Sequence, residues 1–533
     1  MRPLYFSFMT TLRRFLLSGA VLPLAVALSL QCNSSSTGTD PNADLGGSGT
    51  EDLSDPNNGN GDGGGGSGGD GGGGSQQDLL PPTLQLTGVS PALGPSTGLL
   101  GSTAVVLDVS GANFVSGAQV YIAGQLATTQ YVSPTLLKVT LPAKLGTRGL
   151  VAVEVRLPDT RSTTRSDLFR YYYGSLSFAL QATKLDVGTA PSAIAIGELN
   201  NNNKPDIITA NRTGNNVSFA LGNADGTFGA VGSAAASMSA MGKPTGLSLG
   251  DMDKDGFLDA IVSVEVANTV AVLLNNKTGV LARSGEYSVG MTPQAVVASD
   301  LTGDMIPDAI SANAGGNNAS YLVGAAAGAF GTATTLTPGG TVQGPAALAM
   351  ADINKDGKPD IVMANQMTNN ITVFLWNDTT KTFDFKANYA TGANTNPRGI
   401  VLGDFAGDGN VDVAVSLSVT MPQLAVLTGD GTGAFGGPTN YTAGKAASDA
   451  PLGMASADFD FDGVPDIVTT LSAADYIAIL RNRNKTPQAP DYFTSGMQPQ
   501  AVAVGDLNND GRPDLAVANT GENKVAILLN TSQ

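Results

Sequence analysis

The chain has 533 residues, of which 14% are charged and 68 are glycine, and this length calls for more than one hydrophobic core. Its 28 Lys+Arg against 45 Asp+Glu leave a net charge of −17, which argues against nucleic acid or an anionic membrane surface as a partner. Histidine is absent and Cys32 is the single cysteine, which excludes Ser-His-Asp and Cys-His catalysis, imidazole-bound metals and an internal disulfide.

Arg2, Arg13 and Arg14 precede an apolar run over 15–30, and Gln31 and Cys32 follow it. A basic start and a short apolar stretch predict a secretory signal peptide over 1–31, too short and one-sided for a stable membrane span. The solitary cysteine at its end resembles the lipidation site of bacterial lipoproteins. That resemblance implies export, a lipid anchor at Cys32 as the sole membrane contact, and residence at the bacterial outer membrane or cell surface. A periplasmic or secreted protein is the alternative. Residues 32–78 are mostly Ser, Gly, Asp and Asn. With so few apolar side chains to bury, they are expected to form a disordered linker.

Over 79–174 short alternating segments predict strands at 104–109, 119–124, 136–142 and 150–155, with a turn at 111–114. Several strands in fewer than ~100 residues suggest an antiparallel sandwich. The order Val89-Ser90-Pro91, Gly111-Ala112-Asn113-Phe114, Gly117-Ala118-Gln119-Val120, Ser133-Pro134-Thr135-Leu136 and Phe169-Arg170-Tyr171 resembles the IPT/TIG immunoglobulin-like family. The resemblance implies a spacer or interaction module.

From 175 to 533 one unit recurs: an apolar strand, an acidic loop, a second strand, an Asn/Gly-rich turn and a third strand. The loops begin at Glu198, Asp251, Asp300, Asp352, Asp404, Asp458 and Asp506, at intervals of 48 to 54 residues. That period suits one four-stranded propeller blade per repeat. The last repeat has no fourth strand of its own, whereas the segment Leu176 to Leu180 precedes the first repeat without a partner. Pairing the two would close the ring and remove an open sheet edge. The repeat, with Phe228-Gly229, Phe330-Gly331 and Phe435-Gly436, resembles the FG-GAP/VCBS family, whose propellers include the integrin α-chain head. The expected fold is therefore all-β: a seven-bladed β-propeller preceded by a small immunoglobulin-like β-sandwich.

The loops are of the D-x-[DN]-x-D-G-x-x-D kind, with departures in the first, third and fifth. Alternate oxygens at positions 1, 3, 5 and 9 of such a loop, with the carbonyl of position 7, converge on one hard cation. The second and sixth loops carry full carboxylate sets, Asp251, Asp253, Asp255 and Asp259, and Asp458, Asp460, Asp462 and Asp466. Asp352, Asn354, Asp356 and Asp360 match well, as do Asp506, Asn508, Asp510 and Asp514. Asp300, Thr302, Asp304 and Asp308 are followed through the turn by Met305 in place of glycine, and Asp404, Asp408 and Asp412 lack a third-position ligand at Ala406. Glu198, Asn200, Asn202 and Asp206 form the poorest set. These loops hold 22 of the 45 acidic residues, whose mutual repulsion calls for counter-cations. Up to seven structural Ca²⁺ ions are expected. Asx turns capped by their own backbone are the bland alternative.

Calcium in closed loops leaves no open position for substrate, so the expected function is a recognition, adhesion or scaffold module with an extracellular protein or glycan ligand. The Asn-rich turns opposite the acidic loops, and Trp376, are candidates for sugar contacts, with turn chemistry and packing as their plainer roles. The alternative is an extracellular polysaccharide lyase or hydrolase built on the propeller.

Overall fold

The structure, a computed structural model, describes residues 82–532 apart from 101–102, 145–146, 420–421 and 484. The expected signal peptide, Cys32 and the linker lie outside the described residues.

Alternating side chains build the amino-terminal domain. Leu107, Val109, Val120, Ile122, Leu137, Val139, Val153 and Val155 point inward from four strands into one shared core. Gln85–Ser90 and Leu136–Thr140 flank Val106–Ala112, while Gln119–Ile122 and Ser162–Tyr172 flank Gly149–Arg156. Gln125–Ser133 pairs with both Gln119–Ile122 and Leu136–Thr140, and so joins the two halves of the sandwich. The expected turn at 111–114 begins later than the sequence suggests. Gly111 and Ala112 still pair with Leu86 and Gln85, and the chain turns at Asn113, whose φ is 65°.

The propeller follows. Among the described residues seven sheets form its blades, each with four antiparallel strands from its own repeat except the last, which takes Phe178–Leu180 and Leu185–Asp186 from the front of the propeller. In the third and sixth blades a short hairpin precedes the outermost strand. The innermost strands open at Pro191, Pro244, Pro293, Pro345, Pro397, Pro451 and Pro499. Proline lacks a donor, so it suits the first residue of a strand. A register shift follows each of these prolines, as between Pro191 and Ala193, and adds local twist.

Closure takes the expected form. Phe178–Leu180 pairs antiparallel with Lys524–Asn530, Phe178 opposite Asn530 and Leu180 opposite Leu528. The Phe178 ring packs edge-on against Phe459 and Phe493 at 5.8 and 4.9 Å, tying blade six to the closing strand.

The hydrophobic clusters lie between blades: Ala210 with Val262, Val362 with Val413, Val468 with Val517, and Ile196 with Ile527. Two of the Phe-Gly segments tighten this packing at the rim. Phe330 meets Tyr287 of the preceding blade at 5.4 Å, and Phe435 meets Tyr389 at 5.6 Å, both edge-on. The innermost strands surround a cavity of about 240 Å³ lined by Ile194, Leu247, Val296, Leu348 and Val502, with Thr245 and Gln294 among its polar members.

Candidate functional site: the acidic loops

Each acidic loop connects the innermost strand of a blade to the second, so all seven lie on one face of the ring. Two left-handed residues give each loop its shape. In the second loop these are Lys254 and Gly256, with φ of 62° and 88°. No neighbouring atom lies within 4 Å of a Cβ placed on Gly256, so backbone conformation rather than space favours glycine there. The third loop makes the same turn with Met305 at φ 67°, and the first with Asn203 at φ 60°.

The first-position carboxylate closes the turn from inside. Asp251 accepts the amides of Asp255 and Gly256 at 2.9 and 2.8 Å. Asp352, Asp404 and Asp506 do the same at 2.7 to 3.0 Å. Asp300 accepts from Gly303, Asp304 and Met305, so the missing glycine leaves the third loop intact. Glu198 instead accepts from Asn200 and Lys204. Third- and fifth-position oxygens cap amides two residues on: Asp253 and Asn354 cap Asp255 and Asp356, while Asp255, Asp304, Asp408, Asp462 and Asp510 each cap their own i+2 amide. The Asx turns of the bland reading are thus present. They use one lone-pair direction of each oxygen and leave others for a cation.

The ninth-position aspartates have a role not visible in the loop motif. Asp206, Asp259, Asp308, Asp360, Asp412, Asp466 and Asp514 are fully buried. One oxygen of Asp259 accepts the Met252 amide at 2.8 Å, and the other accepts the Asn275 amide at 2.7 Å. The same staple joins Leu199 and Gly222 through Asp206, Leu301 and Gly324 through Asp308, and Ile353 and Trp376 through Asp360. It recurs for Ala406 and Gly429, Phe459 and Asn482, and Leu507 and Asn530. Each blade therefore has its acidic loop pinned to the chain at the far end of its third strand.

The loops differ in how closely their carboxylates gather. Asp251, Asp253 and Asp259 bring oxygens within 4.8 Å of one another, and so do Asp458, Asp460 and Asp462. These two loops carry the full carboxylate sets. Among the described residues no other loop brings three acidic side chains together this closely. Three loop oxygens are buried without a hydrogen-bond partner: Asp458 Oδ1 at position 1, and Asn200 Oδ1 and Thr302 Oγ1 at position 3. Burial pushes Asp206, Asp259, Asp360, Asp458 and Asp514 up to about 7, and Asp412 and Asp462 up to about 6. Burial raises Asp308, Asp460 and Asp466 as well. An orphaned hard oxygen beside gathered, buried carboxylates fits a small hard cation.

Fourth-position side chains connect neighbouring loops. The Asn201 amide donates to the Gly256 carbonyl at 3.0 Å, Lys254 donates to the Asp304 carbonyl, and Asn509 donates to the Asn203 carbonyl at 3.0 Å.

The opposite face is built differently. Asn268, Asn317, Asn369 and Asn523 each accept an amide from the chain entering the next blade, from Thr292, Gly344, Asn396 and Ala190 at 2.7 to 3.0 Å. Asn211 donates to Asn216 and Ser218, and Asn313 to Asn318 and Ser320. These amides are committed to turns and blade joints. Trp376 is buried, edge-on to Phe383 at 5.1 Å and Tyr321 at 5.9 Å, and so is a packing residue.

Seven four-stranded blades in a closed ring, each with an acidic loop after its first strand, define a β-propeller protein with an appended immunoglobulin-like domain. The FG-GAP-like repeat family matches residues 198–262, 300–363 and 352–415, the FG-GAP repeat matches 499–529, and the IPT/TIG domain matches 84–173. The chain is thus an FG-GAP-repeat propeller with an IPT/TIG domain. No curated protein matches it. Solved structures similar to it include an auxiliary nutrient binding protein from Bacteroides ovatus, at 13% identity over 84% of this chain and 98% of that one, with a TM-score of 0.41. A putative 6-phosphogluconolactonase from Bacteroides uniformis is 16% identical over 59% and 90%, with a TM-score of 0.46. A rhamnogalacturonan lyase is 14% identical over 83% and 88%, with a TM-score of 0.39.

Proposed function

We propose that this is an exported, lipid-anchored cell-surface protein whose FG-GAP propeller, stabilised by calcium in its acidic loops, serves as a non-enzymatic recognition or scaffold module. The observation that carries the calcium reading is the second and sixth loops, where three carboxylates converge, together with the unpartnered Asp458 Oδ1. Asp251, Asp253, Asp255 and Asp259 would hold one ion, and Asp458, Asp460, Asp462 and Asp466 another. The ion would supply charge neutralisation to side chains that burial otherwise pushes toward protonation. Loops with fewer carboxylates would bind more weakly, and the millimolar calcium outside cells suits sites of this kind.

Of the two ligand classes, a protein partner is favoured over a glycan. Asn211, Asn268, Asn313, Asn317, Asn369 and Asn523, opposite the acidic loops, are spent internally. The same face, formed by turns between second and third strands and by connections between blades, instead exposes Met238, Met241, Met291, Met367 and Met497. Methionine is an adaptable apolar contact surface for protein partners. The test is capture of surface proteins by the mature chain in millimolar calcium, beside a glycan array and a polysaccharide panel. A partner lost on combining Met238→Ser, Met241→Ser and Met291→Ser supports the reading. Glycan binding unaffected by those changes, or turnover of a polysaccharide, overturns it.

A further inference from the structure

The IPT/TIG domain meets the propeller on the acidic-loop face, above blades six and seven. The Tyr173 amide donates to the Asp460 carbonyl at 2.7 Å, inside the sixth loop. The Tyr173 ring stands edge-on to Phe461 at 5.7 Å, and its hydroxyl accepts from Arg148 at 3.3 Å and Arg512 at 3.2 Å. Arg148, within the IPT/TIG domain, also donates to the Asp510 carbonyl of the seventh loop at 2.7 Å. Tyr173 is fully buried by these contacts.

Arg483 joins the loop to the junction. Its Nε lies 2.9 Å from Asp460 Oδ2, and its Nη2 donates to the Tyr173 and Gly174 carbonyls at 2.6 and 3.3 Å. Its guanidinium also covers the Tyr172 ring at 4.6 Å. The Asp460 side chain is fully buried. Its other oxygen, Oδ1, accepts the Asp462 amide at 3.2 Å, on the loop side. One carboxylate thus divides its two oxygens between the acidic loop and the arginine that grips the interdomain segment. The second loop also gathers three carboxylates within 4.8 Å, and among the described residues it makes no hydrogen bond to the IPT/TIG domain.

We propose that the sixth loop is a clasp that sets the orientation of the IPT/TIG domain on the propeller, with Asp460 and Arg483 as its positioning residues, so that a cation in this loop and the docked domain reinforce one another. The cation half of this proposal rests on the calcium reading above. A cation drawing Asp458, Asp460 and Asp462 together fixes Asp460 for Arg483 and holds the Asp460 carbonyl where Tyr173 bonds it. By linkage, the docked domain raises the affinity of the loop in equal measure.

Hydrogen exchange on the full chain tests both halves. In calcium, Arg483→Gln should speed exchange over 171–174 about tenfold or more while 251–259 is unchanged. Arg148→Ala, which lies outside the sixth blade but also removes the guanidinium stacked 4.9 Å over the Phe461 ring, should act in the same direction at 171–174 and leave 251–259 unchanged. Stripping calcium from the unaltered protein should speed exchange over 251–259, 458–466 and 171–174 together. Protection of 171–174 that survives both Arg483→Gln and Arg148→Ala overturns the clasp. Loss of protection at 458–466 without change at 171–174 on stripping overturns the coupling. If stripping alters neither acidic loop, the calcium reading fails and the coupling with it, while the two arginine variants still decide the clasp.

Discussion

The Asp259 carboxylate accepts the backbone amide of Asn275, sixteen residues along the chain, at 2.7 Å while its other oxygen holds the Met252 amide at 2.8 Å. Position 9 of the acidic loop is therefore a staple between strands as well as a prospective ligand. Asp259→Ala leaves two buried amides unsatisfied, at a cost of about 3 kcal/mol. The loss should appear in denaturant titration with and without calcium. Asp253→Ala, which removes a loop-facing carboxylate, should lower stability in calcium and have little effect after calcium is stripped. Equal behaviour of the two variants would remove the distinction between staple and ligand.

Met305 occupies a left-handed turn at φ 67° with its side chain three-quarters exposed. A side chain in that region costs roughly 1–2 kcal/mol, and glycine loses roughly 0.5–1 kcal/mol in unfolded-state entropy. Met305→Gly should therefore stabilise the protein by about 0.5 kcal/mol, read as a higher urea midpoint at unchanged slope. A lower midpoint would show that the methionine makes compensating contacts.

Burial raises the ninth-position carboxylates, with Asp206, Asp259, Asp360 and Asp514 up to about 7. Between the unfolded-state value near ~4 and about 7, the folded, calcium-free protein binds more protons than the unfolded chain. Its stability should then fall as pH rises through that window and level off above it. Calcium, by favouring the ionised form, should flatten or reverse the trend. Melting of calcium-stripped protein at pH 5.5 and pH 8 checks the sign, and a higher midpoint at pH 8 would contradict it.

The closing strand contributes one side chain to the joint between blades six and seven. Phe178→Ala removes the ring that meets Phe459 and Phe493. It should cost about 3 kcal/mol and expose the Lys524–Asn530 edge to faster exchange. An unchanged exchange rate there would show that backbone pairing alone holds the ring.

Much of this fold was legible in the chain. The recurrent loops, the Phe-Gly dipeptides and the spare segment before the first repeat pointed to seven blades and their closure, because each is a local pattern repeated in phase. Gln125–Ser133 and Ser162–Tyr172 were not legible as strands, since their Thr, Gln, Ser and Arg side chains lie largely exposed and break the apolar alternation. The staple at Asp259 was hidden because its partner lies beyond the second strand. The Arg483 contact with Tyr173 was hidden because it joins residues 310 apart. The ranking of the acidic loops by carboxylate count parallels their geometry, in that the second and sixth gather three acidic side chains. Met305 bends the third loop as glycine would, a conformation that composition alone does not disclose.

The central claim is that the ring is held by calcium, and the most direct measurement is thermal melting of a chain spanning residues 79–533, stripped of metal and then titrated with Ca²⁺ or Mg²⁺. A site filled to about 100 times its dissociation constant adds about 2.7 kcal/mol, so millimolar Ca²⁺ should raise the midpoint by several degrees. The rise should saturate, exceed that produced by Mg²⁺, and shrink in a variant carrying both Asp253→Ala and Asp460→Ala. Equal midpoints with and without Ca²⁺ would contradict the account.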